Sequence, residues 1–528
     1  STTITLGFTP VASDQFRVIV GRAVNVTNVS RSQVGAALYP QTAAERAAGV
    51  TPTDYAYAPG DVRRYGAVGD GTDETQRLQD CYSANAGATV THEDGKTYLI
   101  TSGLTLASGT TYKGRAVIKQ FNGTNYAGAL LLGTTVNNAT IDRLEVDGNK
   151  ANNLTGLTYG IKFTGGSNNR ITDSVYVHDT TQAGVWVNDE DNTRSYARSE
   201  NCGANLGTDN HGVMFTATSG SLTNCRVGGR IKGAYRKGLA VYSATPGAIT
   251  NILIDRVVAS GCGLVGSSGG GIYIANAAAT ADQDSIVMNG CISTGNYINY
   301  EIDNCKRVSG AGNISRGSTG SSGIDLVDST DVTLTGMVVS DSYVKGVFID
   351  GGTRVIFHGL NVTTSNTSTN AFGPGVHVLD STYCGAPGAT ISDDDAKMTH
   401  GIIEAGTSDY SNFDGVLANN ATSANYTLVG ASSYLRVRQT GIVAVASVAA
   451  LTLPYGFTLF SITGTTNITS IVALGHSGKT VTLVFAGALT FTDGSNLKLA
   501  GNFVTTADDV ITLTCDGTNW YEVSRSAN

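Results

Sequence analysis

The sequence predicts an all-β fold. A right-handed parallel β-helix spans residues 61–405, with a neck (1–60) before it and an antiparallel, sandwich-like β-domain (410–528) after it. Three observations carry this: a recurring strand-like tetrad, an unusual composition, and a change of pattern after about residue 410.

The tetrad reads Gly, apolar, any residue, apolar. It occurs as Gly160-Ile161-Lys162-Phe163, Gly184-Val185-Trp186-Val187, Gly212-Val213-Met214-Phe215, Gly238-Leu239-Ala240-Val241 and Gly271-Ile272-Tyr273-Ile274. Asn299-Tyr300-Glu301-Ile302 follows with Asn in place of Gly, then Gly323-Ile324-Asp325-Leu326, Gly346-Val347-Phe348-Ile349 and Gly375-Val376-His377-Val378. Spacings of 23 to 33 residues with period-two alternation at each stop are those of a coil of about three short strands and variable turns. Stacked coils need a covered end and grow in one dimension.

Composition agrees. Charged residues make up 14%, well below the usual quarter, and Gly reaches 66 against 8 Pro, which cannot donate to a central ladder. A length of 528 residues exceeds one ordinary core, so several domains or a repeat are expected. The net charge of −8 argues against nucleic acid and suits a neutral or sugar-like partner. No membrane insertion is expected: the most apolar stretch, Gly441 to Leu453, is broken by Ser447 and Thr452 and followed by Pro454. No charged region followed by an apolar run opens the sequence, so a signal peptide is not expected. The eight cysteines form no CxxC pair and read as a buried thiol column made in a reducing compartment.

After residue 410, Lys479 to Phe485 and Val510 to Cys515 alternate between Asp-Gly turns. Trp520 is expected either in a core or exposed to stack on a sugar, the core being preferred.

Before the repeats, Tyr65-Gly66-Ala67-Val68-Gly69-Asp70-Gly71-Thr72-Asp73-Glu74-Thr75 suggests a helix starting near Asp73, capped by Asp70 or Thr72. Its Leu78, Cys81 and Tyr82 would cover the open end of the solenoid. This run resembles the opening of the pectate-lyase-superfamily β-helix as found in bacteriophage tailspikes, and Ala37 to Arg46 resembles the segment before it. The resemblance covers roughly residues 37 to 405. It implies a homotrimeric virion appendage, joined to the phage tail or baseplate through its N-terminus, that binds and often cuts bacterial surface polysaccharide (O-antigen or capsule) outside the host cell. No catalytic residue comes with it. Pectate-lyase calcium and arginine motifs are not recognisable, and of the polygalacturonase motifs only Arg230-Ile231-Lys232 appears.

Within each tetrad the apolar residues should point inward, leaving the residue between them and the one after facing out. Four acidic residues then fall on three consecutive coils: Glu301, Asp303, Asp325 and Asp350. Glu301 and Asp325 would be direct neighbours at ~4.8 Å, with Asp303 to Asp325 a diagonal of roughly 8 Å. Glycoside hydrolysis needs two carboxyls at about 5–5.5 Å for retention or about 6.5–9.5 Å for inversion, and like charges side by side raise one pKa. These four are the candidate catalytic residues. Trp186, Tyr242, Tyr273, Phe348 and His377, with Lys237, Arg236 and His211, are candidate substrate contacts. The bland alternatives are a calcium or structural role, or a solvated acidic face. Lys237, Arg236 and His211 precede outward strands, where a loop residue is more often ordinary surface.

Asp189-Glu190-Asp191 and Asp393-Asp394-Asp395 lack EF-hand spacing, and neither Gly69-x-Gly71 nor Gly269-Gly270-Gly271 completes a nucleotide fingerprint; no metal or cofactor is expected. The favoured function is an endo-acting glycoside hydrolase. A polysaccharide lyase using Lys237, His211 and Tyr273, or a non-cleaving spike or adhesin, stands as the alternative. Glu301→Gln and Asp325→Asn each remove a charge repulsion and are expected to leave the melting temperature unchanged or higher.

Overall fold

Parallel strands stacked coil upon coil account for most of the chain. The structure, a computed structural model, describes residues 31–243, 248–264, 269–276, 283–365, 373–393, 397–419, 424–437, 442–454 and 456–528. Residues 1–30 of the expected neck lie outside these, as do Asp394 and Asp395.

Among the described residues, three short α-helices precede the coils: α1 (Arg31–Leu38), α2 (Ala43–Ala47) and α3 (Thr75–Ala84). The neck is not separate from the solenoid here, because Val50 belongs to its core. Helix α2 opens with a capping box of Thr42 and Glu45. The same Glu45 carboxylate accepts Arg64 Nε at 2.6 Å, both side chains fully buried, and accepts the Tyr65 hydroxyl at 2.8 Å. Arg64 also donates to the carbonyls of Tyr39, Pro40 and Tyr57. This ties the segment around residue 40 to the Tyr65-Gly66-Ala67 motif. Helix α3 begins at Thr75, later than expected. Asp73, not Asp70 or Thr72, accepts the Thr75 N–H, while Asp70 closes a turn onto Thr72. Leu78, Cys81 and Tyr82 are fully buried in the solenoid core.

A 13-stranded, wholly parallel sheet forms one wall, from Leu104–Thr105 to Ala424–Thr427. All nine tetrads lie in it, as β1 (Thr158–Thr164), β2 (Val185–Asn188), β3 (Val213–Ala217), β4 (Lys237–Ser243), β5 (Gly270–Asn276), β6 (Tyr300–Asp303), β7 (Ile324–Val327), β8 (Val347–Asp350) and β9 (Val376–Leu379). The register is the expected one: Ile161, Val185, Val213, Leu239, Ile272, Tyr300, Ile324, Val347 and Val376 stand in one inward row. The recurring glycine has a packing reason. A Cβ on Gly346 would meet the Gly375 carbonyl oxygen at 2.4 Å, and one on Gly212 the Gly238 oxygen at 2.8 Å.

Shorter parallel strands build the remaining walls. Their corner repeats a left-handed residue coil after coil: Asn138, Asn168, Asn192, Asn224, Asn251, Ser285, Arg307, Asp331, Arg354, Tyr383 and Tyr410, with φ between 48° and 61°. Asn192 donates to Asn168 at 2.7 Å, Arg354 makes a double bond-pair with Asp331, and the exposed Tyr383 and Tyr410 rings stack at 4.9 Å. All eight cysteines are free and buried.

Two expectations about the C-terminal half need correction. Parallel pairing does not stop near 405: Asn412–Asn419 pairs with Thr390–Ser392 and then with Tyr434–Val437. The extra coil escaped notice because Glu404 fills an inward slot. It is buried and satisfied by the N–H groups of Val429 and Gly430 and the Ser433 hydroxyl. The terminal domain is also only partly antiparallel. Val443–Ala446, Leu459–Thr463 and Thr480–Phe485 pair in parallel, and Val510–Cys515 and Trp520–Ser526 then add antiparallel. It has its own core, in which Trp520 is fully buried, so this ring is no exposed sugar platform.

The Glu45–Arg64 pair yields a prediction. Glu45→Gln strands the buried Arg64 guanidinium and should cost about 3–5 kcal/mol in chemical denaturation, with Glu45→Gln/Arg64→Met recovering part of it. Hydrogen bonds from Arg64, Thr42 and Tyr65 outweigh burial and hold the Glu45 carboxyl down to about 2. Its folded value lies below the unfolded one, so the contribution is full above the ordinary carboxylate range and fades as pH falls toward about 2. Equal stability of wild type and Glu45→Gln at pH 7 would contradict it.

Candidate functional site

Because side chains alternate across a strand, the outward face of the 13-stranded sheet carries two rows. The first reads Lys162, Trp186, Met214, Ala240, Tyr273, Glu301, Asp325, Phe348, His377; the second includes Thr164, Asn188, Thr216, Tyr242, Ala275, Asp303, Val327, Asp350, Leu379. Glu301 and Asp325 are in direct register, as are Val327 and Asp350.

The environments of the paired carboxylates differ. Lys237 reaches from β4 across β5 and places its ammonium on Glu301 Oε2, with side-chain exposures of 7% for the lysine and 22% for the glutamate. The same ammonium lies 4.5 Å from the Tyr273 ring centre. Gly270, in register with Lys237, leaves the channel: a Cβ there would sit 3.4 Å from Lys237 Cδ and 3.6 Å from Nζ. Asp325 makes no such ion pair among the described residues. Its Oδ1 is buried and accepts no hydrogen bond among the described residues. Burial, reinforced by the Glu301 charge, pushes its carboxyl up to about 6, against the opposing pull of the Ser322 hydroxyl and the Lys345 and Lys237 ammoniums. Asp303 is raised by burial and by Glu301 and Asp328; Asp350 is raised by burial and by Asp380 and Asp328.

Aromatic groups line both sides. Trp186 donates its indole N–H to Thr216 Oγ1 at 2.7 Å, and Tyr159 lies 5.0 Å from it, its hydroxyl donating to Asp209 at 2.8 Å. Tyr242 and Tyr273 are 6.4 Å apart, and Phe348 lies 5.1 Å from His377. Met214 and Ala240, outward by register, are nonetheless fully buried: with Ala183 they form an apolar floor under Tyr159, Trp186, Tyr242 and Tyr273. The face is therefore floored with carbon at one end and with carboxylates at the other.

The expectation that Lys237 and His211 are ordinary surface is overturned. Lys237 is the first residue of β4 and buried. His211 is buried too, and its Nδ1 accepts the Lys237 backbone N–H at 3.3 Å. Burial, with the Arg236 and Lys237 charges, depresses His211 to about 3, so it is neutral. Arg236 is half-buried and donates to the Thr208 carbonyl at 2.8 Å. His377 is depressed to about 4 by burial and the Lys345 charge, and neither ring nitrogen finds a partner among the described residues.

Several site residues escaped the sequence reading: Tyr159, Ser322 and Lys345, whose ammonium lies 3.2 Å from the Phe348 ring centre. They share a signal. Tyr159, Ala183, Lys237, Ser322 and Lys345 each stand immediately before the tetrad glycine and touch residues of the outward rows or their apolar floor.

The carboxylate run at 189–191 is structural. Glu190 is buried on the Gly166 N–H, Asn169 and Thr193; Asp189 accepts from Thr218 and Ser219; Asp191 accepts from Thr223 and Asn224. Away from this face, Asp147, His178 and Asp179 converge closely enough for a cation, but the Lys119 ammonium already bonds Asp147 at 2.5 Å.

No protein-family model matches the chain, and no curated protein does. Solved structures similar to it include the A-module of the mannuronan C-5 epimerase AlgE6 of Azotobacter vinelandii, at 19% identity and TM-score 0.47, over 71% of this chain and 97% of that one. The tailspike protein of E. coli bacteriophage HK620, solved in complex with a pentasaccharide, matches at 13% identity and TM-score 0.41, over 68% and 75%. Tailspike protein 3 of bacteriophage CBA120 matches at 13% identity and TM-score 0.40, over 69% and 61%.

Proposed function

We propose that this protein is a tailspike depolymerase, an endo-acting glycoside hydrolase that binds and cuts a bacterial surface polysaccharide of the O-antigen or capsule kind. One observation carries the chemistry: Glu301 and Asp325 stand side by side in opposite environments. Asp325, desolvated and in no ion pair among the described residues, keeps a proton to donate to the leaving oxygen. Glu301, neutralised by Lys237, is the ionised partner. A desolvated carboxyl that holds a proton beside one held in an ion pair supplies an acid and an anion. The ladder spacing of ~4.8 Å between their strands is closest to that of retaining enzymes, which makes Glu301 the nucleophile. Lys237, engaged on Glu301, is not free to abstract a proton, so hydrolysis is favoured over β-elimination. The opening motif supports the tailspike reading and, with it, a homotrimer on the virion.

The decisive measurement is the mass of oligosaccharides released from the host polysaccharide. Products heavier by one water per cut are expected; unsaturated products without added water mean a lyase, and no release at all means a spike that only binds.

Asp325→Asn should lower kcat by about 10²–10⁴-fold with KM little changed. The raised Asp325 value makes the folded state bind its proton more tightly than the unfolded chain, so stability falls as pH rises from the ordinary carboxylate range to about 6 and stays lowered above it. Asp325→Asn should therefore melt no lower than wild type at pH 8. Glu301→Gln should lose turnover similarly, but here the structure revises the sequence expectation: it leaves the Lys237 ammonium buried and unpaired, so the variant should melt lower. Wild-type rates in both variants would reject the site.

Activity should also fall as pH rises through about 6, tenfold per unit well above it, as Asp325 loses its proton. A pH–rate profile flat from 5 to 8 would remove Asp325 from the acid role.

A further inference from the structure

This face of the sheet is electrically graded. On β6 to β8 its outward rows hold four carboxyls, Glu301, Asp303, Asp325 and Asp350. On β1 to β4 the same rows hold Lys162 and no acid. The Lys162 ammonium lies 3.5 Å from the Trp186 ring centre and 5.7 Å from that of Tyr159. It is half-buried, and burial lowers its pKa. It makes no ion pair with a described residue: the nearest influence is Asp209, whose carboxylate is occupied by the Tyr159 hydroxyl. Arg236, beside this end, likewise bonds only a carbonyl among the described residues. A cation held on aromatic faces is attracted to them, but it has surrendered water without gaining an anion among the described residues.

We propose that Lys162, Trp186 and Tyr159 form a remote subsite for an anionic sugar, one carrying a carboxylate, and hence that the polysaccharide is acidic. The pyranose lies against the Trp186 face and its carboxylate takes the Lys162 ammonium. Lys162 and Glu301 stand in one row five strands apart, about 24 Å at ~4.8 Å per strand. The chain is thus held by its charge far from the carboxyls that would repel it, and neutral residues lie over Glu301 and Asp325. This inference rests on reading this face as a polysaccharide site, but it has its own readout.

The sequence holds two tryptophans, and Trp520 is fully buried in the terminal core, so a change of intrinsic fluorescence on adding a sugar reports Trp186. Full-length protein is titrated with methyl β-D-glucuronide and with methyl β-D-glucoside at low salt. The glucuronide should half-saturate at about fivefold lower concentration. That preference should vanish in Lys162→Met, which keeps the stem on the indole, and should weaken with added salt. Trp186→Phe should silence the signal. Equal response to both sugars, no response to either, or a preference that survives Lys162→Met would overturn the proposal. Catalytic failure of Asp325→Asn or Glu301→Gln bears only on the hydrolase reading, so the two are separable.

Discussion

A parallel strand can pair with its neighbour at one height only if every side chain along it keeps its face. A slip of one residue would turn Ile302 or Leu326 outward and Glu301 or Asp325 into the core. Register is therefore the constraint on which the rest of this structure depends. The close approach of glycine to the next coil's carbonyl oxygen, repeated at Gly212 and Gly346, fixes where each strand begins. The inward row of β-branched and leucine side chains fixes which way it faces. Coil lengths vary by as much as ten residues, yet the rows do not shift, because the variation is absorbed in the turns.

With the rows fixed, the chemistry of the outward face follows from what surrounds each carboxyl. Two adjacent acids of one charge would destabilise a sheet if both were ionised and equally solvated. Here one has an ammonium delivered from two strands away and the other is left dry. The delivery depends on a missing side chain: Gly270 makes room for the lysine stem. Burial of Met214 and Ala240 beneath a lid of rings adds a second contrast along the same face, dry hydrocarbon at one end and charge at the other.

Much of this was legible from residue order alone, because a strand's period of two converts sequence position directly into face. The pairing of Glu301 with Asp325 and the burial of Leu78, Cys81 and Tyr82 needed no coordinates. Other features were hidden for physical reasons. Lys237 and Lys345 act across coils, and a reach of that kind is set by side-chain conformation and by gaps such as Gly270, which linear spacing does not record. Glu404 concealed a coil by placing a satisfied carboxylate where the pattern asks for an apolar residue. Met214 and Ala240 face outward yet are covered, since whether a ring folds over its neighbour depends on the partners its hydroxyl or N–H finds.

The corner running from Asn138 to Tyr410 has a different logic from the carboxylate-bearing face. It demands a left-handed backbone of each coil but almost nothing of the side chain, and so it has accepted asparagines, an Arg–Asp–Arg run and finally two tyrosines. A bulky residue held there carries a conformational penalty of about 1 kcal/mol. Neighbouring coils absorb that penalty, because no coil unfolds alone. The edge is thus a strip on which surface character can be rewritten one coil at a time while the wall beside it keeps its chemistry. Change at that surface and preservation of the neighbouring carboxyl rows need not compete for the same residues.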